Sequence, residues 1–232
     1  VVTMRPTRAP ALGDQLAAVL RDQIVRRQLQ PGTHLVEDSV AAEYDVSRGP
    51  VRDALRLLES QGLVESRRRG FFVVGLSESD IDDLYELRES IELVAVTRAI
   101  AQATPDQLRI GREIVEEMVA CADRSAAADF ADADMRFHAL LYRVGGNRRL
   151  IDVWEAYEPV FASLMQLTVE EDVDLHPSAH DHGRLLDLIE EGDGEKVRAE
   201  LREHLDGARG RMSHAVQALI GPDTASARGL AS

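Results

Sequence analysis

Apolar side chains recur with a helical period along most of this chain, and the places where the period breaks divide it in two. From Leu12 the positions Leu16, Val19, Leu20, Ile24 and Leu29 form one stripe that runs into Gln30, Pro31 and Gly32. A helix is expected to begin near Leu12 and to stop at the Pro-Gly pair. The segment DSVAAEYDVS follows, then SRGPVRDALRLLESQGLVES, in which Val51, Ala54, Leu55 and Leu58 share a face. Ser47 stands where an N-cap belongs and Gly62 where a helix ends. Two helices joined by a tight turn predict a helix-turn-helix. The next stretch, LVESRRRGFFVV, reads as two short strand-forming runs around Arg67, Arg68, Arg69 and Gly70, a two-stranded wing with a positive tip.

Beyond Ser77 six successive segments carry an apolar stripe near period 3.6, beginning at Glu78, Asp106, Asp129, Arg148, His180 and Gly194. Short links between them predict an antiparallel bundle, whose interior is a usual place for metal and ligand sites. The expected fold is mainly α: a winged helix-turn-helix over residues 10–76, then an antiparallel all-α bundle over 77–220. The small and polar segment 221–232 is expected to be a disordered tail.

Charge sharpens this division. The net charge of −14 argues against nucleic acid as a partner only if it is spread evenly, and it is not. Residues 1–75 hold 11 Arg against 9 Asp and Glu, whereas the remainder holds 16 basic against 32 acidic side chains. The first part is free to approach DNA and the second repels it. One cysteine, Cys121, allows no intramolecular disulfide and suits a reducing compartment. No run of about 18 apolar residues occurs and VVTMRPTRAP lacks a signal-peptide core, so a soluble, cytoplasmic protein without a membrane partner is expected.

The second helix of the first part carries Arg48, Arg52 and Arg56 at four-residue steps. Arginine makes paired hydrogen bonds to guanine O6 and N7 in the major groove, and recognition helices use their N-terminal residues for this. Arg48 and Arg52 are therefore the candidate base readers, with Ser47 beside them and Arg56 facing phosphate or an acidic neighbour. Arg68, Arg69 and Gly70 at the wing tip suit phosphate or the minor groove.

In the second part Asp134 and His138 stand four apart in ADMRFHALLY, on one helical face. His182 shares a stripe with Leu185, Leu186 and Ile189, and His204 shares one with Val197, Leu201, Ala208 and Met212. One carboxylate and three imidazoles pointing inward match the ligand chemistry of a divalent transition metal, zinc first, with nickel and manganese as alternatives. A lone core histidine is more often a packing residue, and only convergence distinguishes the two. His34, His176, His180 and His214 read as surface or loop residues. Arg88 lies on the face of Ile81, Leu84 and Ile91, an inward charge needing a partner. Either Glu92, four residues on, or a ligand carboxylate would serve.

The stretch PGTHLVEDSVAAEYDVSRGPVRDALRLLESQGLVESRRRGFFV resembles the winged helix-turn-helix of GntR-type bacterial transcription regulators, with S-R-x-P-V-R-x-A-L as its specific core. Residues 78–214 resemble the FCD ligand-binding domain of the FadR-type branch, through D-M-R-F-H-x-x-L, G-G-N and H-x-x-L-L-D-L-I-E-x-G-D. The resemblance implies that Arg48 and Arg52 contact guanines and that the wing tip enters the minor groove. It further implies that Asp134, His138, His182 and His204 hold a metal, and that Arg88 meets the carboxylate of a small organic acid. Asn147 of G-G-N is a further candidate contact to that effector, or simply a helix-ending turn. One departure stands out: some relatives carry a basic residue in the helix before the recognition helix, where this chain has Glu37 and Asp38.

The expectation is a homodimeric, effector-controlled regulator, a repressor by the usual logic, reading a palindromic double-stranded operator. Two rivals are a helical metalloenzyme and a DNA-binding dimer without an effector. Against the enzyme, the chain shows no nucleophile motif and no phosphate loop, and Glu92 is its one candidate general base.

Overall fold

A computed structural model describes residues 11–170, 172 and 174–220, and the expected tail at 221–232 lies outside the described residues. The chain divides into two compact units, with the boundary between Leu76 and Ser77.

In the first unit α1 (Leu12–Val25), α2 (Glu37–Glu43) and α3 (Arg48–Ser60) pack around Leu16, Leu20, Ile24, Val40, Val51, Leu55 and Leu58. Each such large aliphatic side chain contributes about 1.5–3 kcal/mol by leaving water. The first helix departs from its sequence pattern. It ends at Val25, well before the Pro-Gly pair at Pro31 and Gly32, because Arg27 turns into the left-handed region at φ 58°. Val19, placed on the buried stripe by its spacing, is 45% exposed.

The wing also differs from the two strands expected. β2 (Val64–Arg67) and β3 (Gly70–Val73) form the hairpin, and β1 (His34–Leu35) adds a third antiparallel strand in the order β1-β3-β2. Two residues are too few to show a period, so β1 left no signal. Its His34 pairs with Phe72 and stacks on that ring, and its Nε2 lies 2.9 Å from the Arg69 carbonyl. The wing tip is thus tied from below.

The second unit consists, among the described residues, of α4 (Glu78–Gln102), α5 (Pro105–Asp123), α6 (Ala127–Gly145), α7 (Arg148–Val169), α8 (His176–Glu191) and α9 (Gly194–Ile220). Capping boxes start α4 (Ser77 with Asp80) and α5 (Thr104 with Gln107), while left-handed Gly146 and Gly192 end α6 and α8. α6 packs against α4, α5 and α7, and α9 against α4 and α8. Every face of α6 but one is therefore covered, which is why both edges of ADMRFHALLY are buried. None of the described helices is long and apolar enough to cross a membrane.

Candidate metal centre and nucleic-acid interface

The bundle interior brings Asp134 and His138 of α6 to His182 of α8 and His204 of α9, with one potential ligand atom from each lying within 4.8 Å of the others. Asp134, His138 and His182 are at most 1% exposed, and His204 is 8% exposed. His138 Nε2 stands 3.3 Å from His182 Nε2, and Asp134 oxygens stand 3.1 Å from His182 Nε2 and 3.7 Å from His138 Nε2. Donors held about 2.0–2.1 Å from one tetrahedral ion stand about 3.3–3.4 Å apart, so the spacing among Asp134, His138 and His182 fits a shared cation, and the whole set spreads to within 4.8 Å.

The outer ring nitrogens fix the tautomers. His138 Nδ1 faces Glu92 Oε1, and His182 Nδ1 lies 2.7 Å from the Ser178 carbonyl. The carbonyl, and Glu92 when ionised, can only accept, so each Nδ1 carries the proton and each neutral Nε2 presents a lone pair inward. Neither Asp134 oxygen has a hydrogen-bond partner. Two lone pairs and an unsatisfied carboxylate facing each other inside a core are costly unless a cation lies between them. The residues fit a divalent metal.

Electrostatics agree. Burial pushes the Asp134 carboxyl up, but His182, His138 and Arg88 outweigh it and hold it well below the usual carboxylate range. Burial lowers His138 and lowers His204 strongly, favouring the neutral ring a metal requires. His182 moves the other way: burial opposes its charged form and Asp134 more than offsets this, so proton and cation compete for one position.

Glu92 extends the cluster. It is fully buried, meets His138 through Oε1, and accepts from Arg88 Nε at 3.2 Å through Oε2. Burial raises its pKa, but His138 and Arg88 prevail and keep it ionised. Arg88 is thus inward as its spacing implied, and its i+4 partner is a core pair at 1% and 0% exposure rather than a surface bridge. Its guanidinium carbon lies 5.1 to 5.7 Å from the ring centres of Phe161, Trp154 and Tyr85. Arg88 Nη2, Tyr85 Oη and Tyr142 Oη are all buried without a hydrogen-bond partner. These three unmet donors beside the cluster suit an acceptor-rich ligand.

Outside the aromatic wall, a groove of about 420 Å³ between α6 and α7 reaches Tyr142 and Trp154, and one of about 270 Å³ between α4 and α9 reaches Tyr85. Sequence reasoning did not single out Tyr85, Tyr142 or Trp154, because aromatic residues on an apolar stripe read as core. The signal available was charge: Arg88 and Glu92 fall on the line Ile81, Tyr85, Arg88, Glu92, Ala95, Ala99, which is buried throughout. Asn147 sits apart from this constellation in role. It is the N-cap of α7, where its side-chain oxygen accepts from Arg149 N at 3.0 Å.

In the first unit Arg48, Arg52 and Arg56 line an exposed edge of α3, and Arg68 and Arg69 form the turn of the wing. Ser47 occupies the N-cap position in extended backbone, but its side chain makes no capping hydrogen bond. Gly70 has φ 127°, and a Cβ there would come within 2.9 Å of His34 Nε2, so the tip accepts only glycine without rearrangement. Arg48 Nε and Nη2 grip both oxygens of Asp38, and Arg52 Nε and Nη2 grip those of Glu37 at 3.2 and 2.8 Å.

Comparison with known proteins places both units. Residues 83–207 match the FCD domain, and residues 12–74 match the family described as bacterial regulatory proteins, gntR family. The gluconate operon transcriptional repressor of Bacillus subtilis is 31% identical over 175 residues, covering 75% of this chain and 71% of that protein. Its counterpart in Bacillus licheniformis is 28% identical over 206 residues, covering 86% and 84%. Among solved structures, E. coli McbR/YncC superposes with a TM-score of 0.71 at 20% identity, covering 90% of this chain and all of that one.

Proposed function

The chain belongs to the gntR family of bacterial regulatory proteins and carries its FCD domain, which makes it a DNA-binding transcription regulator; from that premise we propose that a small organic acid, bound beside a divalent metal in the helical unit, controls its hold on an operator. One observation carries this reading. Glu92 bonds the metal-facing His138 on one side and Arg88 on the other, and Arg88 keeps a buried, unpartnered Nη2.

Asp134, His138, His182 and His204 would hold the ion, zinc first and nickel or manganese as alternatives. When bound, the metal supplies a Lewis-acid anchor for an oxygen of the acid. Arg88 Nη2 takes the acid's carboxylate, and the Tyr85 and Tyr142 hydroxyls take further oxygens. Two phenols beside one guanidinium favour a hydroxylated acid, and the gluconate operon repressors among the relatives make a sugar acid the first candidate. Trp154 and Phe161 exclude water from the pair. Asn147 caps α7 through its side-chain oxygen, which leaves its amide nitrogen as the group that would donate to the acid.

At the DNA, Arg48 and Arg52 read guanines, Ser47 and Arg56 meet phosphate, and Arg68, Arg69 and Gly70 place the wing tip in the minor groove. A homodimer sets two such units on a palindrome, since operator symmetry mirrors protein symmetry. Repression relieved by the acid is the reading that the repressor relatives support. The acid acts only by its differential affinity for the two states.

The test is fluorescence anisotropy on labelled DNA from upstream of the protein's own gene, with wild type, Arg52→Ala and Arg88→Met, zinc-loaded or chelated, with and without gluconate and related acids. Binding that needs Arg52 and is altered by one acid, only when Arg88 and metal are both present, is the expected result. An acid response that survives chelation and Arg88→Met sinks the effector site.

A further inference from the structure

The two candidate base readers are held in the same way. Each arginine spends its Nε–Nη2 edge on a carboxylate from the first turn of α2, Arg48 on Asp38 and Arg52 on Glu37. A guanidinium has a second edge, formed by Nη1 and the remaining hydrogen of Nη2, at its far end. Asp38 and Glu37 engage only the Nε–Nη2 edge on both side chains, and the end edge can make the paired contact with guanine O6 and N7.

An acid at this place needs an explanation. Arg48 and Asp38 are both well exposed, so no burial requires their pair, and an exposed ion pair contributes little to stability. A carboxylate beside the recognition helix repels phosphate, which costs affinity for every DNA sequence. It is tolerated where it accepts a hydrogen bond from a base, and the amino groups of the major groove, cytosine N4 and adenine N6, are the donors available. Each Asp38 oxygen spends one lone pair on Arg48 and keeps another.

We propose that Asp38 is a specificity-determining residue of operator recognition: it orients Arg48 end-on toward a guanine and accepts from the amino group of a cytosine or adenine at the neighbouring base pair, with Glu37 orienting Arg52 likewise. This rests on the reading of Arg48 and Arg52 as guanine contacts. The carboxylates trade general affinity for discrimination, since a wrong base leaves their remaining acceptor lone pairs without a donor.

Selection of binding sites from a randomised duplex pool, by wild type, Arg48→Ala, Arg52→Ala, Asp38→Ala and Asp38→Asn, tests it. The selected half-site and its single-base variants are then titrated at one salt concentration. Guanine positions lost in the arginine variants establish the underlying reading. Asp38→Ala is expected to lose the preference at the position beside the Arg48 guanine, with discrimination there falling roughly 5- to 150-fold, while sites elsewhere in the motif persist. Asp38→Asn, which keeps an acceptor but loses the charge, should retain part of it. If Asp38→Ala selects the same motif and binds all sequences more tightly, the acid merely repels DNA and the proposal fails. If the arginine variants keep the wild-type motif, the guanine reading itself fails, whatever Asp38 does.

Discussion

Glu92 is the residue on which the two halves of the interior site depend. It neutralises Arg88 and aligns His138, both buried. Glu92→Gln leaves Arg88 without its counter-charge, and breaking a buried pair costs about 3–5 kcal/mol. Urea denaturation of this variant should show a loss of that order, and chelator competition should show zinc held about 10–100-fold more weakly, as for other partners of metal-bound histidines. A purely structural Glu92 would move the first measurement and not the second. Asp134→Asn should abolish stabilisation by zinc, which for wild type at a hundred times Kd amounts to about 2.7 kcal/mol, read as the difference between melts with zinc and with chelator. Trp154 is the chain's one tryptophan and lies against Arg88, so its emission reports directly on ligand arrival there.

Helices meet at points where single side chains decide the approach. Gly145 of α6 faces Ala95 of α4, and a Cβ there would stand 2.8 Å from the Ala95 carbonyl oxygen and 3.2 Å from its Cα. Backbone cannot yield as a side chain does, so Gly145→Ala should lower stability by about 1–2 kcal/mol despite its better helix propensity, measurable by thermal melting. The same junction is tied by Arg98 and Gln102 of α4, which donate to the Gly145 carbonyl at the end of α6. At another junction His176 opens α8 and joins Asp123 of α5 at 3.0 Å and Asp174 at 2.7 Å. These acids raise its pKa above the ordinary 6.5. The stabilisation they provide is complete below that value and disappears as pH rises through the folded-state pKa. His176→Gln should therefore cost stability at pH 5.5 and little at pH 9. An equal loss at both pH values would assign His176 to packing alone.

Across the whole chain, charge is sorted by unit. The arginines that would meet phosphate lie on one helix edge and one wing, while the acidic excess lies in the helical unit. Each phosphate neutralised changes the slope of log K against log salt by about 0.9. Arg68→Ala and Arg69→Ala should each flatten that slope by about 1 without altering base preference, whereas Arg52→Ala should relax preference at one position. A wild-type slope in both Arg68→Ala and Arg69→Ala would remove the wing from the interface. The family match assigns regulation to the chain, and the sorting of charge explains how an acidic protein can do it.

Much of this was legible in the residue pattern. Helical stripes of period 3.6 located the six helices that the described residues of the second unit form, because burial of one face repeats along a helix whatever it packs against. Asp134, His138, His182 and His204 were legible for the same reason, as polar groups on stripes that had to face inward. Features outside any periodic stripe were not. β1 exists only through its pairing with the distant β3, while the early end of α1 at Arg27 and the cap formed by Asn147 are local backbone turns that hydrophobic spacing does not report. Sequence alone determined which side chains must leave water. The tertiary structure decided which of them meet: that Glu92 joins Arg88 to His138, that two tyrosine hydroxyls are left without partners beside them, and that the acids of α2 hold the arginines of α3. Periodicity specifies a direction from one helix axis, whereas a contact also needs the crossing angle and the offset of a second helix, which only packing sets.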